Sequence, residues 1–260
     1  MTAVSIKNLS FSYGDYPALK HIEITLEKGL FYSIIGPNGS GKTTLLKNLQ
    51  KIIKPDSSCI YLNGEDIRLV SIRDLSKRIA TVPQETHMDF DFTVLDMVLM
   101  GRAPYLKRFE TEGVNDLEQA KTAMEITDTW KLKDKSIRHL SGGELQRAIV
   151  SRAMVQDTDI LLLDEPVSHL DIHHQITILR TVAGFCRSKG ITVLAVLHDI
   201  NLASEFSDSL ILMNQGEIMQ VGSPELVVNE RSMKSLFDME CIIISNPISG
   251  KPHVIPSTVM

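Results

Sequence analysis

The stretch LFYSIIG, Leu30 to Gly36, runs apolar without alternation and leads straight into GPNGSGKTT, a loop almost bare of side chains that ends at Thr44. An unalternating apolar run of this length is the pattern of a strand covered on both faces, and such strands belong to parallel sheets flanked by helices. The spacing predicts a helix beginning near Lys42. Two more runs of the same kind follow, DILLLDEP at Asp159 to Pro166 and ITVLAVLHD at Ile191 to Asp199, separated by the helical stretch HHQITILRTVAGFCRSKG. Strands alternating with helices imply parallel βαβ units, so the expected fold class is an α/β core.

The remaining segments are placed around that core. The opening VSIKNLSFSYG and the later HIEITLEKG alternate apolar and polar residues and end in glycine turns, which predicts two antiparallel strands of a half-exposed sheet. CIYLNGEDI predicts a further strand and turn, and RIATVPQ a short strand stopped by Pro83. From about Glu85 to Ser151 the pattern changes to helix-like segments, TVLDMVLMGR, DLEQAKTAMEI and GGELQRAIVSRAMV, and this region is read as an insertion into the α/β core. LILMNQGEIMQVG reads as a hairpin turning at Asn214-Gln215-Gly216, and SNPISGKPHVIPSTVM as a Pro-containing tail.

Composition excludes several classes. With 27 basic against 32 acidic residues, the net charge is -5, and nothing calls for nucleic acid as a partner. Cys59, Cys186 and Cys241 are odd in number and far apart, which fits packing residues in a reducing compartment rather than a disulfide framework. No apolar run approaches the ~20 residues of a membrane span. The start, MTAVSIKNLSFSYG, lacks a basic and then apolar leader, so the chain is expected to stay in the cytoplasm.

The loop Gly36, Pro37, Asn38, Gly39, Ser40, Gly41, Lys42, Thr43, Thr44 fits G-x-x-x-x-G-K-[ST], between a buried strand and a helix as the motif requires. Successive backbone N–H groups can point inward around phosphates, Lys42 adds a point charge, and the Thr43 hydroxyl is placed for Mg²⁺. Asp164 ends the strand ILLLD and can bind Mg²⁺ through water; Glu165 follows it and can polarise an attacking water. The pair makes a nucleoside triphosphate the expected ligand and hydrolysis the expected reaction.

LSGGELQR, Leu140 to Arg147, narrows the reading: it resembles the signature sequence of ATP-binding cassette ATPases. A serine and two glycines opening a helix form a second phosphate cradle, and Ser141 with Glu144 also fits a helix capping box. The resemblance extends from about Val4 to Gly222. It implies ATP and Mg²⁺ as ligands and a P-loop NTPase (RecA-like) core with an antiparallel β subdomain and an inserted α-helical subdomain. It also implies a head-to-tail homodimer in which Ser141, Gly142 and Gly143 of one copy cap the nucleotide of the other. Residue by residue, Tyr13 of FSYG matches the aromatic that stacks on adenine. Gln84 of VPQ matches the glutamine between the subdomains, with Thr43 and Asp164 a metal contact. Asp171 of SHLD matches the D-loop aspartate, and His198 of LAVLHD the switch histidine, catalytic with Glu165. Glu144 and Val167 depart from the usual glutamine and threonine without removing a phosphate contact. His169, His173 and His174 form a local cluster, but the ligand count there argues against a metal site, and Asp171 is its sole carboxylate partner.

LSKRIATVPQ, FTVLDMVLMGRAPYL, LDIHHQ and HVIPS are similar to the importer branch that drives uptake of iron–siderophores, haem and vitamin B12. The resemblance implies transmembrane permease subunits as partners, indirectly a substrate-binding protein, and a peripheral position on the cytoplasmic face of the cell membrane. The expected division is core and β subdomain at about 1–84 and 154–240, helical subdomain at about 85–153, and a tail at 241–260. The competing class is a soluble cassette switch that acts away from membranes. A nucleotide kinase would share the glycine loop but would not need LSGGELQR.

Overall fold

A computed structural model describes residues 1–55, 57–84, 91–168 and 170–257. The three unalternating runs become β3 (Phe31–Ile35), β7 (Ile160–Asp164) and β8 (Thr192–Val196), every residue of them buried. They lie side by side in a six-stranded sheet with β6 (Ile79–Val82), β9 (Ser209–Asn214) and β10 (Glu217–Gly222), in the order β10-β9-β3-β8-β7-β6. The pairings β3–β8, β3–β9, β6–β7 and β7–β8 are parallel, and β10 closes one edge as an antiparallel hairpin with β9. That hairpin turns at Gln215 and Gly216, both with positive φ, as the sequence predicts.

Alternation along these strands divides their side chains between two cores, because successive residues point to opposite faces of a sheet. Phe31, Ile35, Leu161, Leu163, Val193 and Ala195 pack in one core; Tyr32, Ile34, Ile160, Leu162, Leu194 and Val196 pack in the other. The second core is completed by α1 (Lys42–Leu49) and by an antiparallel sheet of β1 (Thr2–Tyr13), β2 (Tyr16–Glu27), β4 (Ile60–Leu62) and β5 (Glu65–Asp66), in the order β2-β1-β4-β5. The first core receives α3 (Val94–Leu99), α4 (Val114–Ile126), α5 (Gly142–Met154) and α6 (Ile172–Lys189). The short α2 (Ile72–Leu75) precedes β6.

The helical region between β6 and β7 is tied to α5 by two devices. Gly101 lets the backbone approach so closely that an added Cβ would overlap the carbonyl of Arg152. Arg102, 6 % exposed, places Nε 2.8 Å from Asp116 Oδ1 and donates from a terminal nitrogen to Val155 O at 3.0 Å.

Several elements were not anticipated. The tail is a hairpin of β11 (Cys241–Ser245) and β12 (Pro252–Pro256), docked on α7 (Ile200–Phe206), where Asn201 accepts from Val254 N at 2.7 Å and donates to Val254 O at 3.1 Å. Of the prolines that marked it as a tail, Pro247 sits in the hairpin turn and Pro252 and Pro256 stand at the ends of β12, where a missing N–H costs least. α7, α8 (Pro224–Val227) and α9 (Glu230–Phe237) are four to eight residues long, too short to show a period. The three cysteines are buried and free, and burial pushes the Cys186 thiol up to about 11. They pack, as their spacing implied.

Candidate functional site

Because β3, β6, β7 and β8 run parallel, the segments that follow them emerge at one edge of the sheet. There they line a cleft of about 420 Å³ bordered by Tyr13, Tyr16, Ala18, Asn38 to Thr44, Gln84, Glu165 and His198. The glycine loop wraps its floor. An added Cβ at Gly36 would overlap the carbonyl of Met213, and one at Gly41 would fall 2.5 Å from Ala18 O; Gly41 also has φ +100°. At the loop's end, α1 begins without a side-chain cap, so its first N–H groups are free for an anion.

Lys42 is 5 % exposed and folds back over the loop, donating from Nζ to Gly36 O at 2.8 Å and to Pro37 O at 2.9 Å. Burial lowers its pKa, and the carboxylates of Glu165 and Asp164 oppose that shift. The Ser40 hydroxyl is buried without a hydrogen-bond partner. Thr43 donates to Asp164 Oδ1 at 3.1 Å; burial raises the Asp164 carboxyl, and the Thr43 bond partly offsets the rise. A cationic lysine, an unpaired hydroxyl and free helix N–H groups fit a polyphosphate. Thr43 with Asp164 gives a hydroxyl and a carboxylate, the hard oxygen donors that suit Mg²⁺.

Glu165 stands in the left-handed region at φ 49°, uncommon for a residue with a long side chain, and its N–H donates to Val196 O at 3.2 Å. This turn aims its carboxylate into the cleft between two partners. Gln84 donates from Nε2 to Oε2 at 2.7 Å, and His198 Nε2 lies 2.6 Å from Oε1. A carboxylate so placed can accept a proton from water, and both neighbours can report the cleft's occupancy to it.

Tyr13, 49 % exposed, is held edge-on by Phe11, with ring centroids 4.8 Å apart. Tyr16, its partner across the β1–β2 turn, borders the same cleft and was not singled out from the sequence. Its only signal was an aromatic beside a Gly-Asp turn, which surface tyrosines share.

Ser141, Gly142 and Gly143 do not border the cleft. They open α5, where Ser141 Oγ accepts from Glu144 N at 3.3 Å and Glu144 Oε2 accepts from Ser141 N at 2.8 Å, the capping box the sequence indicated. Ser141 and Gly142 are exposed, and Gly143 is buried against the ring of His174. Asp171 also lies off the cleft and caps α6, accepting from His174 N at 3.0 Å and meeting His174 Nδ1 at 2.8 Å. The backbone bond from His174, then its side chain, holds the Asp171 carboxyl below its usual range. His169 lies outside the described residues. Val167, the other departure from the usual pattern, is simply buried in the first core.

Residues 19–168 match the family model described as ABC transporter. The chain is 36 % identical over 250 residues to the ferric enterobactin transport ATP-binding protein FepC of Escherichia coli (strain K12), covering 96 % of this chain and 92 % of that protein. It is 34 % identical over 254 residues to the petrobactin import ATP-binding protein FpuD of Bacillus anthracis, covering 98 % and 93 %. A bacterial ABC transporter cassette solved as a dimer superposes with a TM-score of 0.74 at 27 % identity, covering 85 % of this chain and 98 % of that one. Among the described residues no helix is long and apolar enough to cross a membrane. A phosphate-shaped cleft, a carboxylate aimed into it, and a match that spans nearly the whole chain lead to one conclusion: this chain is an ATP-binding ATPase of the ABC transporter family.

Proposed function

We propose that the chain is the ATP-hydrolysing subunit of an importer for an iron–siderophore, haem or cobalamin-type ligand. In this reading two copies work together against transmembrane permease subunits at the cytoplasmic face of the membrane, fed by a substrate-binding protein. Transport and import ATP-binding proteins among the relatives favour this over a soluble switch. Residues 1–84 and 154–240 would hold the nucleotide, and 85–153 would pass its state to the permease.

The observation that carries the hydrolytic reading is the double hold on Glu165 by Gln84 and His198 at the mouth of the glycine loop. ATP supplies the phosphoanhydride and Mg²⁺ the charge that screens it. Tyr13 offers a face for adenine, and the loop from Gly36 to Thr44 offers N–H groups, the Lys42 ammonium and the Ser40 hydroxyl to phosphate oxygens. Thr43, Asp164 and Gln84 would hold the metal. Gln84 would hold the metal through its amide oxygen, which leaves Nε2 free to go on donating to Glu165, while His198 meets the other oxygen of the carboxylate that takes a proton from water. Ser141, Gly142 and Gly143, which lie off this copy's cleft, would cap the nucleotide of the second copy, with Asp171 beside them.

The test is to solubilise membranes in mild detergent and recover the chain by affinity. A permease of many apolar spans should accompany it, and the complex should release phosphate only with Mg²⁺ and ATP. Recovery solely with ribosomes or DNA would overturn the importer reading.

A further inference from the structure

Among the described residues, the head of α6 gathers a group that the cleft does not use. Asp171, His173 and His174 each present a ligand atom, all within 4.8 Å of one another. From the sequence, the ligand count argues against a metal here, with Asp171 the sole carboxylate partner. The fold brings them together because Asp171 is the cap: its side chain bends back over the first turn to reach His174, while the rings of His173 and His174 meet edge to face at 5.5 Å.

Two imidazoles and one carboxylate are the donor set that first-row divalent ions take, with open positions left to water. At metal–ligand distances of about 2.0–2.1 Å, donor atoms around one ion stand roughly 3 Å apart. The Asp171 carboxylate and His174 Nδ1 already have that separation, at 2.8 and 2.9 Å. His173 is exposed, so a rotamer change of its ring closes the remaining gap. His174 is braced from behind, where its ring covers Gly143 so closely that an added Cβ would meet the ring at 2.4 Å. The positive end of the α6 dipole opposes a cation at this place, and the ionised Asp171 carboxylate offsets it.

We propose that Asp171, His173 and His174 form a binding site for one divalent first-row transition metal ion of the Zn²⁺, Ni²⁺ and Co²⁺ class. The ion replaces the Nδ1–carboxylate contact with two metal bonds and recruits His173 as the third ligand. Since His174 rests on Gly143, occupancy fixes the cap of α6 against the start of α5, two segments that lie outside the cleft. Mg²⁺ prefers oxygen ligands and does not compete for imidazole, so this site is separable from the one at Thr43 and Asp164.

The experiment is titration of the full chain with Co²⁺ in excess Mg²⁺, followed by visible absorption and calorimetry, with Zn²⁺ as the displacing ion. One equivalent should bind, with ligand-field bands that Zn²⁺ abolishes. His173→Ala, an exposed substitution outside the nucleotide machinery, should weaken binding roughly tenfold or more and leave Mg²⁺-dependent ATP hydrolysis in buffer stripped of transition metals unchanged. His174→Ala should weaken it as well. Absence of saturable Co²⁺ binding in excess Mg²⁺, or wild-type affinity in His173→Ala, overturns the proposal.

Discussion

Glu165 is held in a left-handed turn between Gln84 and His198, and its chemistry depends on that placement. Glu165→Gln fills the same space and keeps a hydrogen bond to each neighbour, yet it cannot take up a proton. It should therefore bind ATP as the wild type does while phosphate release falls by about 10²-fold or more. Equal turnover in the two proteins would remove Glu165 from the chemistry. Tyr13→Ala should raise the KM for ATP about tenfold with a smaller change in kcat, since a stacked base contributes roughly 1–3 kcal/mol. Asp164 carries a cost as well as a role. Burial raises its folded-state pKa, so the folded chain holds that proton more tightly than the unfolded one, and stability from this group is present at low pH and lost as pH rises through the folded pKa. At neutral pH, Asp164→Asn should accordingly raise the Tm of the nucleotide-free chain while removing Mg²⁺-dependent hydrolysis; a lower Tm would contradict the cause assigned here. The motif residues at the cleft were legible because their spacing is fixed by phosphate geometry. Tyr16 was not, because nothing in its neighbours distinguishes a tyrosine bordering a cleft from one on open surface.

Among the elements, the strands β3, β7 and β8 were readable because burial on both faces leaves an unbroken apolar run, and α4, α5 and α6 because each spans three or more turns. The hairpin of β11 and β12 was hidden by its prolines, and its stability comes from Asn201 and α7, contacts far away in sequence. The cluster of His173, His174 and Asp171 was visible in the sequence, but not how closely the ligand atoms gather, because a capping side chain bends against the helical period. The helical segment makes its own prediction through Arg102 and Asp116. Asp116→Ala leaves a nearly buried guanidinium short of a partner and should cost about 2 kcal/mol of stability, measured by urea unfolding. The Arg102 bond, then the N–H of Gly113, lowers the Asp116 carboxyl, so its contribution is present above the unfolded value of 3.8 and lost as pH falls through the folded one. The wild type should therefore lose more stability on acidification than Asp116→Ala does, and identical acid profiles would refute the pairing.

At the scale of the whole molecule, the parallel sheet delivers the glycine loop, Gln84, Glu165 and His198 to one edge, yet it leaves Ser141, Gly142 and Gly143 off the cleft, the first two of them exposed. Within a single copy the glycine loop and the proposed Ser141-Gly142-Gly143 cradle do not meet. In the proposed function, pairing two copies head to tail would bring each cradle to the other's cleft, and that is the central claim. The direct test is sedimentation of Glu165→Gln with and without ATP, beside Glu165→Gln carrying Ser141→Arg, whose bulky cation stands where the partner's nucleotide must sit. The account predicts that ATP converts Glu165→Gln from one copy to two, and that the double variant binds ATP but stays single. Pairing that survives Ser141→Arg, or ATP-bound Glu165→Gln that never pairs at any concentration, would contradict it.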